Sequence, residues 1–458
     1  MNKLIAPGAV LAAALCLVCV RAAAQERGQQ EWKQVTMKGE VYYAMPNEVA
    51  RSLGLPREDI PDDENAATYY MQAANALPEE PEDPAFQQQY SAALKAPWDP
   101  EQNRELYAWF QTTAEARRLF KQAASMDRCQ FPVLTAKPGD RFLAAVMMPP
   151  LSGIRQLARL MTIEGHLLEQ QGKMREALEA YLAAFRTGGH LGRERSLITG
   201  LVGIACQAIG CGAMRDCLAR HDIQKDVLEW LAGALGELEK SLPDRSAWIA
   251  GERAMAVQVT QMAPDEWRGL FGPQPDLPRQ ERAFLRSRAF RILWPDRTIR
   301  KDFDAFYDRI EGVTKESPWE AVATLRQHPA ERLMAEHAKD WNVLASMLLP
   351  TVDTVQVVYA RGICDHAGLR MNVALRLYRA DHAAYPDTLD ALAPDYLAAL
   401  PTDPFSGQPF HYRREADGWI LYSVGPDQDD DGGREADRGR GQEDGDLVYR
   451  SHLTEGTE

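Results

Sequence analysis

Between Asp427 and Asp446 the chain places nine carboxylates and three arginines. The run opens as Asp427-Gln428-Asp429-Asp430-Asp431-Gly432-Gly433 and closes as Asp444-Gly445-Asp446. Carboxylates at this density repel one another unless solvent, salt or a cation neutralises them. Hard cations such as Ca²⁺ draw their oxygen ligands from clustered carboxylates and backbone carbonyls. Asp427-x-Asp429-x-Asp431-Gly432 also matches the first half of an EF-hand loop. The twelfth position of that loop must supply a bidentate carboxylate; here it is Arg438, which excludes a full EF-hand. The competing reading is an acidic loop that is simply solvated.

Elsewhere the chemistry is thin. Cys364-Asp365-His366 offers a thiol beside an imidazole. On a helix, however, positions one or two apart point in different directions, so the pair does not face each other. His190 and Glu194 can meet across one helical turn, but they lack a third ligand. The chain has no Gly-x-Ser-x-Gly elbow, no His-Glu-x-x-His and no phosphate-cradling glycine loop ending in Lys-Ser/Thr. No catalytic residue and no organic cofactor is expected.

The chain begins with Lys3, an apolar run from Leu4 to Val20, and Ala22-Ala23-Ala24 before Gln25. That is the pattern of an export signal cleaved after residue 24. The competing reading is a retained anchor helix, against which Pro7, Gly8 and the short run argue. Five cysteines remain, Cys129, Cys206, Cys211, Cys217 and Cys364: an odd number, and sparse for 458 residues. This is no disulfide framework. Cys206 and Cys217 share a helix face about three turns apart, roughly 16 Å at the helical rise, too far to bridge. Past the signal no run reads as apolar enough to span a bilayer, so the mature chain is expected to be exported to the periplasm or cell envelope without a membrane span. The net charge of −14 argues against nucleic acid as a partner, because phosphate binding needs a basic face.

The elements that must carry these residues are mostly helical. Residues 25–65 read as a polar leader, and 66–340 as a helical body broken by prolines near 263–297. Helices are expected from about 64, over about 101–124, densely over 151–238, and again to about 339. The helix near 194–220 is apolar almost all round and should be central to the core. Within the dense region, Gly165, Gly172, Ala177, Tyr181 and Ala184 resemble one tetratricopeptide-type helix hairpin; the next repeat length loses the pattern, and one copy cannot make a solenoid. Val352, Val355, Tyr359, Ile363, Ala367, Met371, Ala374 and Tyr378 then step by three or four residues as one apolar stripe of a long helix, 351–384. Short strands follow at 410–413, 419–424 and 447–449.

Several pieces of this last region share an order and spacing: Ala374-Leu375-Arg376-Leu377-Tyr378, Tyr385-Pro386, Leu400-Pro401-Thr402-Asp403-Pro404, Pro409-Phe410-His411-Tyr412, Leu421-Tyr422-Ser423-Val424-Gly425-Pro426-Asp427 and Asp444-Gly445-Asp446-Leu447. Over about 347–450 they resemble the soluble domain of the major pseudopilin of type II secretion systems. The resemblance implies a long helix packed on a small antiparallel sheet, 409–450, with a calcium-binding loop. In that pattern Asp444 and Asp446 close the loop. The implied Ca²⁺ ligands are Ser423, Asp427, Asp429, Asp431, Asp444 and Asp446. The peptidase site and polymerising membrane helix of pseudopilins are not found here, and 343–349 is only a short apolar remnant before Pro350. The whole layout is also similar to large exported bacterial proteins with a helical body and this C-terminal module.

The expected fold is mainly α: a helical bundle with a tetratricopeptide-like hairpin, then a pseudopilin-like α+β domain over 341–458. The expected function is non-enzymatic, a protein-binding protein of the cell envelope. The alternatives are a hydrolase with its site between helices of the body, or a degenerate subunit of a secretion apparatus.

Overall fold

The computed structural model describes residues 32–139, 146–147, 150–239, 244–261, 296–327, 352–416, 418–435 and 445–452. The expected signal segment, the proline-rich stretch near 263–297, Arg438 and Asp444 lie outside the described residues. The described chain is mainly helical, with thirteen α-helices and a small antiparallel sheet near its C-terminal end.

The segment read as a polar leader contains a hairpin. Strands β1 (Lys33–Met37) and β2 (Glu40–Ala44) pair antiparallel, Val35 opposite Tyr42 and Met37 opposite Glu40. Lys38 and Gly39 turn between them at φ 48° and 83°. Two successive positive-φ residues give the tight turn whose twist matches that of paired strands. The inward alternation rests on only Val35 and Met37, too short a signal against polar surroundings. Two-residue strands β3 (Leu134–Thr135) and β4 (Val146–Met147) extend the sheet in the order β1-β2-β3-β4.

After the short helix α1 (Asn47–Ser52), helices α2 (Ala66–Ala76), α3 (Pro84–Ala93), α4 (Arg104–Thr112) and α5 (Ala114–Ala124) build the first core. Their starts are written in the sequence. Asn65 accepts the Ala67 amide, and Asp83 accepts those of Ala85 and Phe86 with Pro84 at the first helical position. The helix expected over 101–124 is two helices, broken at Thr113. The hydroxyls of Thr112 and Thr113 bond back to Trp109 O at 2.6 Å and Phe110 O at 2.7 Å, and such back-bonding competes with regular helix.

Helices α6 (Leu151–Gln170) and α7 (Met174–Gly192) form an antiparallel hairpin turned at Gly172, φ 72°. The Tyr181 ring lies directly on Gly165, where an added Cβ would sit 2.1 Å from Cε1. Helix α8 (Leu197–Arg220) packs on α7 as closely: a Cβ at Gly188 would meet Gly203 O at 2.3 Å. One expectation needs correction here. Helix α8 is long and apolar enough to cross a membrane by length and composition, although the sequence was read as having no such run past the signal. Most of that stretch, 61%, is buried inside the protein, so the same composition serves a core helix. Cys206, Cys211 and Cys217 are buried in it, and burial pushes the Cys206 thiol up to about 12.

Helices α9 (Lys225–Glu239), α10 (Arg245–Gln261), α11 (Asp296–Thr314) and α12 (Pro318–Gln327) complete the described body. Helix α13 (Val352–His382) departs from the single stripe expected of it. Ala360, Cys364, Ala367, Met371, Ala374 and Leu375 face the C-terminal sheet. Leu369, Val373 and Leu377 enter a second core with α7, α8 and α9. The C-terminal part therefore shares its main helix with the body.

That sheet has the order β5-β6-β7, from His411–Arg414, Trp419–Ser423 and Leu447–Arg450. Every residue of the central strand β6 is buried. Tyr412 faces Leu421, which faces Tyr449, across the three strands. Tyr449 rests against α13 at Gly368, where a Cβ would lie 2.6 Å from its ring.

Candidate functional site

The acidic loop leaves the end of β6 and returns into β7. Its base is built on a residue that the sequence offered only within the Leu400-Pro401-Thr402-Asp403-Pro404 piece. Asp403 is fully buried and holds four donors. Its Oδ1 accepts Phe405 N at 2.9 Å and Ser423 Oγ at 2.8 Å; its Oδ2 accepts Ser406 Oγ at 3.0 Å and Val424 N at 3.2 Å. The signal for it was Asp403-Pro404, since aspartate before a turn commonly bonds the backbone two residues on. Ser423, expected among the loop's oxygens, thus donates its proton to Asp403 and accepts Gly425 N at 3.2 Å.

Four hydrogen bonds pin the loop's first turn to the rest of the chain. Gln428 Nε2 donates to Phe405 O at 2.7 Å and to Trp319 O at 3.3 Å. Arg326 on α12 donates to Pro426 O at 3.2 Å and to Asp427 O. Gly425 takes φ 75°, and a Cβ there would lie 2.6 Å from Gly445 O, so the two ends of the loop touch at a position only glycine fits.

The carboxylates then fold over their own backbone. Asp427 Oδ2 accepts Gly445 N at 2.8 Å, joining the loop's first and last turns. Asp446, fully buried, accepts Gly433 N at 2.7 Å on Oδ2 and Asp431 N at 3.4 Å on Oδ1. Burial pushes the Asp446 carboxyl up; the amides of Gly433 and Asp431 oppose this, and the charges of Asp430 and Asp431 add to it. Asp431 pairs through Oδ1 with Arg434, while its Oδ2 is buried with no hydrogen-bond partner. Asp429 is exposed. Asp430 turns away to Gly432 N at 2.9 Å and toward His411 at 3.6 Å. Of the six expected ligands, Asp427, Asp431 and Asp446 are thus drawn onto one small piece of backbone; Ser423 is spent on Asp403, and Asp444 is outside the described residues. Among the described residues, no three His, Cys, Asp or Glu side chains converge as a metal-holding group.

The donor set nonetheless suits a hard cation. It is all oxygen, a carboxylate oxygen that accepts one amide keeps a second lone pair, and Asp431 Oδ2 is a buried, unsatisfied acceptor near the Asp446 carboxyl, which is raised first by burial and further by its neighbours' charge.

The other sequence candidates separate. Cys364 Sγ meets Tyr449 OH at 3.5 Å, and that hydroxyl also reaches Asp365 Oδ1 at 3.1 Å. His366 points elsewhere, its Nε2 3.2 Å from Leu235 O. Burial pushes the Cys364 thiol up, away from the nucleophilic thiolate. His190 Nδ1 lies 2.9 Å from Tyr70 OH, whereas Glu194 accepts Phe131 N at 2.8 Å and pairs with Arg57 at 3.4 Å.

Compared with family models, with curated proteins and with solved structures, the chain matches none.

Proposed function

We propose that the chain is an exported, non-enzymatic binding protein of the cell envelope, whose pseudopilin-like C-terminal part is ordered by Ca²⁺. The observation that carries this reading is the buried, unpartnered Asp431 Oδ2 beside the buried Asp446 in a loop of crowded carboxylates. Asp427, Asp431 and Asp446 would hold the ion, with Asp429 and Asp444 as further oxygens. When bound, the ion supplies the positive charge that lets these carboxylates lie together. The long helix against a three-stranded sheet supports the pseudopilin-like reading, and the Gly165–Tyr181 packing supports the tetratricopeptide-like one. Export rests on the basic, apolar and small-residue pattern of residues 1–24.

Calorimetric titration of the full chain with Ca²⁺ tests the proposal. The whole protein is needed because α13 belongs to both cores. A single exothermic or endothermic binding event is expected, together with a melting temperature that rises with free Ca²⁺. At a hundredfold excess over Kd the expected stabilisation is about 2.7 kcal/mol. Mg²⁺ should substitute poorly, because it demands octahedral geometry and dehydrates reluctantly. Asp431→Asn keeps the shape, removes a ligand charge, and should weaken the response most; Asp430→Ala, whose carboxylate faces Gly432 and His411, should change it least. No heat up to millimolar Ca²⁺ and an unmoved melting temperature would mean a solvated loop.

A further inference from the structure

Apart from the acidic loop, the helical body forms an open cavity of about 570 Å³. A volume in this range suits a small organic ligand. Four pieces of chain wall it: residues 55–60, the loop 127–133, the α7–α8 junction with the first turn of α8, and the face of α10 at Gly251 and Met255. Leu55, Ile60, Phe131, Val133 and Met255 give it an apolar wall.

The charge of the lining runs against that of the protein. The chain carries −14, yet the cavity is lined by four arginines, Arg57, Arg128, Arg193 and Arg195, against Glu58, Asp127 and Glu194. Two of the three acids are already engaged: Glu194 pairs with buried Arg57 at 3.4 Å, and Glu58 with Arg128 at 3.3 Å. Arg193 gives one N–H to the backbone, Asp127 O, at 2.7 Å. Among the described residues neither Arg193 nor Arg195 has a carboxylate in salt-bridge range, and both are exposed.

The backbone adds to this. Helix α8 starts at the cavity wall, where Ser196 and Thr199 line it. Ser196 occupies the cap position but makes no capping bond. Glu252 from α10 fills part of that role by accepting Leu197 N at 3.0 Å. A helix N-terminus carries partial positive charge and spare amide donors, which favour an anion. A carboxylate at this helix end is therefore already present in the fold, contributed by the protein itself.

We infer that this cavity binds a small organic anion, an apolar body carrying one carboxylate-like or sulfonate-like group, with the body against Ile60, Phe131 and Met255 and the charge toward Arg193, Arg195 and the start of α8. Guanidinium is the side chain suited to such oxyanions, because its fork of donors meets two of their oxygens at once. Arg193 and Arg195, which have no carboxylate in salt-bridge range among the described residues, select for charge, and the apolar wall selects against a bare inorganic ion. The inference is independent of the Ca²⁺ reading.

The test is a fluorescence titration of the full chain, without added Ca²⁺, using two probes that share an apolar body. Anilinonaphthalene sulfonate carries the anion; phenylnaphthylamine lacks it. One saturable site for the sulfonate is expected, with binding by the neutral probe at least about tenfold weaker, the loss of roughly one charge-assisted contact. Arg195→Gln should reduce sulfonate affinity several-fold and leave the neutral probe unchanged; Arg193→Gln should do the same. Met255→Trp, which fills the wall, should weaken both probes. Equal affinity for the two probes, no effect of Arg195→Gln and Arg193→Gln in folded protein, or no saturable site would each overturn the inference.

Discussion

Glu169→Ala is expected to destabilise the protein by about 3–5 kcal/mol, the cost of removing one partner from a buried ion pair. The Glu169 side chain is completely buried near the end of α6, and every donor around it comes from another turn of chain. Oε1 accepts Arg220 Nη2 at 3.0 Å and the Tyr181 hydroxyl. Oε2 accepts Arg220 Nε at 3.1 Å and lies 2.9 Å from His221 Nε2. This fork ties the end of α6 to the end of α8 across the middle of α7. Burial alone would raise the carboxyl, but the hydrogen bonds from Arg220 and Tyr181 outweigh it and hold Glu169 below its ordinary value of 4.5. Because the folded value is depressed, the stabilisation is present above pH 4.5 and is lost as pH falls through the folded value. Removing the carboxylate leaves a largely buried guanidinium and a buried hydroxyl without acceptors. Urea unfolding at pH 7 measures the loss; Glu169→Gln, which keeps an acceptor and the shape, should cost less. A loss below about 1 kcal/mol for the alanine variant would place this pair with surface salt bridges instead.

How much of this was legible in the sequence depends on the range over which each signal acts. The helix start near Asn65 was readable because its cap is local, whereas α3, which opens at Asp83 and Pro84, was not among the expected helices because the prolines around it read as breaks. The Gly165–Tyr181 crossing was readable because both residues sit on one hairpin. Strands β5, β6 and β7 were placed to within a residue or so, since alternation and flanking turns are local too. The hairpin β1–β2 was missed because its only inward residues, Val35 and Met37, are too few to make a period. The break at Thr113 was missed because it depends on hydroxyls choosing carbonyls three residues back, an option that helical periodicity does not register.

The candidate sites divide the same way. Carboxylate density marked the acidic loop, but which carboxylates turn inward is set by Gly425, Gly433 and Gly445, whose backbone brings the loop's two ends together. Asp403-Pro404 signalled only the local half of the role of Asp403, the bonds to Phe405 and Ser406; its other two donors, Ser423 and Val424, are about twenty residues away. The arginine-lined cavity had no sequence signal at all: its walls come from four segments between residues 55 and 255, and Arg193 and Arg195 read alone are two more surface charges. The second face of α13 was likewise invisible, because Leu369, Val373 and Leu377 find their partners only when α8 and α9 are beside them.

Two buried histidines set the largest expected pH effect. His190 and His366 are 5% and 2% exposed, and burial first of all lowers both from 6.5 to about 4. Around His190 the guanidiniums of Arg193 and Arg186 add to the lowering, while Asp127 and the Met126 backbone oppose it. Around His366, Arg370 adds to it and the Leu235 carbonyl opposes it. Each ring is neutral in the folded protein at pH 6, but protonates readily once unfolded. Since the folded values are depressed, the contribution is intact above pH 6.5 and drains away as pH falls from 6.5 toward 4, by about 3 kcal/mol per histidine. Carboxylates titrate at the lower end of the same window, so the readout is the difference between wild type and variant rather than the wild-type curve alone. His366→Asn and His190→Asn should each cost stability at pH 7, through the lost hydrogen bonds to Leu235 O and to Tyr70. That cost should shrink steadily as the pH is lowered to 4.5, because the variants have no buried ring to protonate. Urea unfolding at a series of pH values decides it. Wild-type and variant stability curves that run parallel from pH 7 to 4.5 would show that these rings reach the proton without unfolding.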